Sequence, residues 1–112
     1  MTAREMREKR QHRRYECRIM VQIHRGEEMF PATVTNISQG GAFIETQQGE
    51  SFEFGEEVVL RIKLPKVAET AEILVIVRWA TPVGAGVQFK DIGPLHVWGF
   101  NKLISTLRES VR

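Results

Sequence analysis

The sequence predicts a mainly β domain preceded by a basic arm and followed by one amphipathic helix, and three observations carry that prediction. Six segments between Tyr15 and Asp91 are rich in β-branched and aromatic residues, several with apolar side chains at every second position, and turn-forming clusters separate them. Ahead of them, Lys9-Arg10-Gln11-His12-Arg13-Arg14 places four cationic side chains within six residues. Behind them, after Ile92-Gly93-Pro94, the apolar period lengthens from two to about 3.6 residues.

A chain of 112 residues has the length of one domain, and 42% hydrophobic and 27% charged residues are ordinary for a folded globular protein. No window approaches the roughly 18 apolar residues of a membrane span, and the charged N-terminus is unlike a signal peptide. Cys17 is the single cysteine, so it has no internal disulfide partner and no CxxC motif, and its place in a strand-like run predicts a buried, inert thiol. A cytoplasmic protein without membrane insertion is expected. The net charge of +2 is unevenly spread. Residues 1–18 hold seven Lys/Arg against three Glu, which is +4, and the remaining nine basic and eleven acidic residues give −2. The predicted sheet is therefore not a basic platform for a polymer, and a small anion suits the arm better.

In chain order, residues 1–14 lack apolar periodicity beyond Met6 and read as a flexible arm, with room for a short helix around Arg4 to Lys9. Tyr15 to Arg25 alternates Cys17, Ile19, Val21 and Ile23 against Arg18, Met20, Gln22 and His24, as in a half-buried strand. Arg25-Gly26-Glu27-Glu28 turns the chain into a second strand from Met29 to Asn36. Pro31 lacks an amide donor, which predicts an edge or strand-start position. Ala42 to Thr46 is a short strand, and Gln47 to Gly55 a polar loop carrying Phe52 and Phe54. Glu57 to Leu64 is a strand stopped by Pro65. Thr70 to Trp79, apolar on both faces from Ile73 to Val77, is placed centrally. Thr81-Pro82-Val83-Gly84 turns into a last strand from Ala85 to Asp91. In the helix, residues 94–111, Phe100, Leu103, Ile104, Leu107 and Val111 form one stripe. It suits packing across the sheet domain, with a homodimer seam as the alternative.

Two stretches carry chemistry. Arg10 and Arg14 lie four residues apart, so two planar, permanently charged guanidiniums can grip different parts of one nucleotide-sized anion, on phosphate or on the O6/N7 edge of a guanine. The competing reading is a solvated tail. In Asn36-Ile37-Ser38-Gln39-Gly40-Gly41 the glycines permit positive φ and a close backbone approach, while the Asn and Ser side chains can bond either the local backbone or a ligand.

R-x-x-x-R at Arg10 and Arg14, followed by N-x-S-x-x-G at Asn36, Ser38 and Gly41, resembles the PilZ domain family, and so does the stretch Gly84 to Phe89. The resemblance covers roughly residues 9–91. It implies a six-stranded antiparallel β-barrel over residues 15–112 with the C-terminal helix, and a receptor for the bacterial second messenger cyclic di-GMP. Arg10 and Arg14 would meet phosphate and guanine, and the turn at Asn36, Ser38 and Gly41 would hold a guanine. Lys9, Arg13, Gly40 and Trp79 are secondary ligand candidates. Lys9 bears on whether one messenger or a stacked pair is held. The resemblance further implies an unidentified protein effector, no resident cofactor, regulation of motility or biofilm formation, and a monomer or weak homodimer. A PilZ-like adaptor that works through protein contacts alone, using the loop Gln47 to Gly55 or the helix stripe, is the other reading.

Other classes lack their residues. His12, His24 and His96 have no metal-ligand spacing, and one cysteine cannot make a zinc site. Glu27-Glu28 and Glu56-Glu57 flank turn glycines as solvated charges, and neither a nucleophile motif nor a phosphate-cradling G-x-x-x-x-G-K-[ST] loop occurs. Phe43 and Phe89 have no interleaved Arg/Lys array, apart from Lys90, for single-stranded nucleic acid. Trp79 and Trp98 are expected to pack in the core.

Overall fold

The apolar alternation is spent on closing a barrel. The computed structural model describes residues 14–47, 50–64, 69–92 and 94–110, so Lys9, Arg10, Arg13 and most of the basic arm lie outside the described residues. Six strands follow in order: β1 Tyr15–Arg25, β2 Glu28–Ile37, β3 Gly41–Glu45, β4 Glu57–Lys63, β5 Thr70–Thr81 and β6 Gly84–Asp91. All neighbours are antiparallel. The sheet closes in the order β1-β2-β3-β6-β5-β4, with β4 returning to β1. Each expected strand is present, with its ends at most two residues from those expected.

Away from the register shifts, alternate residues point inward. Ile23, Val34, Ile44, Leu60, Ile73 and Val77 are fully buried, one or more from five of the six strands. Burying each such side chain contributes about 1.5–3 kcal/mol, which makes this interior the main source of stability. The loop before β4 sends Phe52 into the same core, 6.1 Å from Phe30 between ring centroids, while Phe54 stays exposed.

Arg25 fastens that loop. Its guanidinium carbon lies 5.2 Å and 5.5 Å from the Phe30 and Phe52 rings, and Nη1 donates to the Ser51 carbonyl at 2.7 Å. Glu28 and Glu56 flank it. Pro31 is the fourth residue of β2, opposite Gln22, rather than at its start. It is tolerated because β3 pairs with β2 only from Thr33 onward, which leaves one side of β2 without a partner at Pro31.

Helix α1, Pro94–Ser110, docks on the barrel through the predicted stripe. Phe100 and Ile104 are buried, Leu103 and Leu107 pack partly, and Phe100 meets Phe89 edge-on at 4.9 Å. Arg108 Nε donates to the buried Tyr15 hydroxyl at 3.4 Å. The stripe from Phe100 to Leu107 is therefore intramolecular, and Val111 lies outside the described residues. Trp98 corrects the core expectation: it lies two residues from Phe100, about 200° around the helix, and is 48% exposed with Lys102 over its ring.

Candidate functional site

The register of the first two strands joins the end of the arm to the bend. Tyr15 pairs with Ile37 and Glu16 with Asn36, so Arg14 enters β1 at the level where β2 leaves for Ser38. Through this pairing Arg14, the described arginine of the first motif, meets the second motif.

The bend is built by Ser38. Its amide donates to the Gly41 carbonyl at 2.8 Å, and its Oγ accepts from the amides of Gly40 and Gly41 at 3.2 Å each. Oγ also donates to the Gly41 carbonyl at 3.3 Å. The hydroxyl is thus committed to the backbone, and its part in the site is to shape the bend. Gly40 offers its carbonyl to the amide of Phe89 at 2.9 Å. Gly41 is needed for close approach: a Cβ there would lie 2.2 Å from the Val87 carbonyl oxygen. The positive φ that the paired glycines permit is not used in the bend, since among the described residues it occurs at Gly26 and Gly55.

On the outer face, one register row runs from Asn36 in β2 to Phe43 in β3, Gly86 in β6 and Trp79 in β5. Two register shifts create it. By simple alternation Asn36 would share the inward face of Val34, and Trp79 that of Val77. A shift between Val34 and Asn36, and another between Val77 and Trp79, turn both outward. Trp79 is accordingly 42% exposed rather than a core residue. Its ring covers Gly86, where a Cβ would lie 2.2 Å from ring carbons, and stacks on Phe43 at 6.4 Å and 28°. The Arg14 guanidinium carbon lies 5.4 Å from the Trp79 centroid.

This face combines a flat aromatic surface, a fixed cation and a polar bend. Rings and guanidinium planes stack on bases, and a guanidinium suits phosphate. The three strand intervals between Asn36 and Trp79 span roughly 14 Å, the scale of a dinucleotide. Among the described residues no group of His, Cys, Asp and Glu could hold a metal ion. Cys17 is half-buried and lends its thiol to the Val34 carbonyl at 3.5 Å, and burial pushes its pKa up.

Compared with known families, residues 8–98 match the PilZ domain. The chain belongs to the PilZ domain family. Solved structures agree on the PilZ fold. The Bacillus subtilis inhibitor of motility, MotI/DgrA, superposes with a TM-score of 0.75 at 24% identity over 92% of this chain and 52% of that one. The chain thus spans about half the length of that protein. The PilZ domain of CeSA from a cellulose-synthesizing bacterium superposes with a TM-score of 0.68 at 15% identity, covering 86% of this chain and 98% of that one. No curated protein matches the chain in sequence.

Within this PilZ barrel the structure brings together Arg14, Asn36, Ser38, Gly40, Gly41 and Trp79. Phe43 was not among the sequence candidates. Its signal is an aromatic residue on the outward phase of β3, between buried Ala42 and Ile44.

Proposed function

We propose that this PilZ domain is a receptor for cyclic di-GMP that signals to a partner protein, with Arg10, Arg14, Asn36, Ser38 and Gly41 as its binding set. The carrying observation is the position of Arg14, which the β1–β2 register brings to the bend and whose guanidinium lies over Trp79. Arg10 and Arg14 take phosphate and the guanine edge, Asn36 bonds a base, and Phe43 with Trp79 offers a stacking surface. Ser38 and Gly41 act by holding the bend. Each charge-assisted hydrogen bond contributes about 1.5–3 kcal/mol, so a few of them reach the roughly 8 kcal/mol of micromolar affinity after the cost of closing the arm onto the ligand.

Binding changes the surface where arm meets barrel, and that surface signals to the effector. The motility-inhibitor name of the fold neighbour supports a regulatory output. Isothermal titration with cyclic di-GMP tests the reading: saturable binding is expected, and its stoichiometry separates one messenger from a stacked pair held with the help of Lys9. A competing adaptor role finds support in Phe54, 74% exposed in the loop before β4. Neither heat nor thermal shift with the messenger would refute the receptor and leave the adaptor role standing.

A further inference from the structure

We infer that Arg78, positioned by Gln88, is a further phosphate contact of the ligand face. This rests on the reading of that face as a cyclic dinucleotide site.

Arg78 is the residue at which β5 and β6 slip. Val77 pairs with Val87 and Trp79 with Gly86, leaving Arg78 without an opposite number. A residue at such a slip is turned out of the regular row, and here it is exposed and directly precedes Trp79 of the Phe43–Trp79 stack. Gln88 lies on the neighbouring outer row, paired on one side with Gly41 of the bend and on the other with Ile76. The Arg78 Nε donates to Gln88 Oε1 at 2.7 Å. The guanidinium is thereby tethered to the residue opposite Gly41, and the N–H groups of Nη1 and Nη2 are left to form a fork.

The partner sets this arginine apart from Arg25 and Arg61, although Arg108 too is bonded to a neutral group, the Tyr15 hydroxyl. Arg25 and Arg61 face carboxylates, and Lys90 is paired with Glu57 at 2.6 Å. Arg78 is bonded to a neutral amide, and among the described residues no carboxylate lies within ion-pair distance of it. Of the acids on this outer face, Glu16 stands beside Asn36, at the β1 end of the row, Glu45 lies across the Phe43–Trp79 row, and Glu57, at the β4 end of the Gln88 row, is paired with Lys90. An orientated guanidinium with a free fork, next to an aromatic stack and a bend, suits a phosphodiester oxygen pair. A cyclic dinucleotide has two phosphates. Arg14 and Arg78 both stand on the bend side of the Asn36–Trp79 row, and each can take one of them.

Titration of wild type, Arg78→Ala, Arg78→Lys and Gln88→Ala with cyclic di-GMP, each at low and high salt, tests this. Arg78→Ala is expected to weaken binding roughly 10- to 100-fold and to flatten the salt dependence, with the melting curve unchanged. Arg78→Lys keeps the charge without the fork and should recover part of the loss. Gln88→Ala, which frees the side chain, should weaken binding less than Arg78→Ala. Wild-type binding with Arg78→Ala within twofold of it, at an unchanged salt slope, overturns the inference and leaves the receptor reading standing. Failure of the wild-type protein to bind overturns both.

Discussion

Arg14 and Trp79, 65 positions apart in the chain, meet with the guanidinium carbon 5.4 Å from the indole centroid. One comes from the end of the basic arm and the other from the register shift in β5, so the contact ties the charged motif to the aromatic surface. A partly exposed pair of this kind is worth roughly 0.5–1 kcal/mol, enough to orient the side chain and too little to hold it against a ligand.

Arg14→Ala should remove detectable cyclic di-GMP binding while shifting the melting temperature by less than about 2 °C, because exposed side chains contribute little to stability. Calorimetric titration beside a circular dichroism melt checks both halves. Undiminished affinity would remove Arg14 from the site.

Trp79 and Trp98 are the two tryptophans, so Trp98→Phe leaves Trp79 as the sole indole reporter. Its emission should change on adding the messenger. Trp79→Ala should weaken binding roughly 10-fold, since base stacking on an aromatic ring is worth about 1–3 kcal/mol. An emission spectrum unaltered at saturation would place the base elsewhere.

Gly41→Ala and Gly86→Ala should differ, although each added Cβ falls 2.2 Å from a neighbour. At Gly41 the obstacle is the Val87 carbonyl, which belongs to the β3–β6 ladder and cannot yield cheaply. A loss of about 3 kcal/mol, or a fall of roughly 10 °C in melting temperature, is expected together with lost binding. At Gly86 the obstacle is the Trp79 ring, which can swing away. The melt should change less there, and the indole emission should shift.

Arg25 supplies the opposite control. It lies at the end of β1 remote from Arg14 and clamps Phe30, Phe52 and the Ser51 carbonyl. Arg25→Ala should cost about 2 kcal/mol through lost packing and bonding, with messenger affinity retained. A parallel loss of affinity would show that the two barrel ends are coupled.

The Cys17 thiol, pushed up by burial, should react slowly with thiol reagents in the folded protein at neutral pH. The folded value lies above the unfolded one, so the thiol's contribution to stability is fully present below the unfolded value. It is lost as pH rises through the folded value, because the unfolded chain ionises first. Comparing Cys17→Ser with the parent in denaturant melts at neutral and alkaline pH measures that difference.

Much of this was legible in the residues themselves. The alternation of Val21 and Ile23, or of Ile73, Val75 and Val77, is a local consequence of side chains that need one dry face, and the stripe of Phe100 and Ile104 is its helical counterpart. Motif spacing likewise brought out Arg14, Asn36, Ser38 and Gly41 and the PilZ resemblance. What the chain could not reveal on its own is which way Trp79 and Asn36 face, or that Phe43 and Arg78 join them. A strand's own alternation assigns Trp79 to the face of Val77. One unpaired residue against β6 reverses that, and such a slip is set by the partner strand, which only the closed barrel supplies.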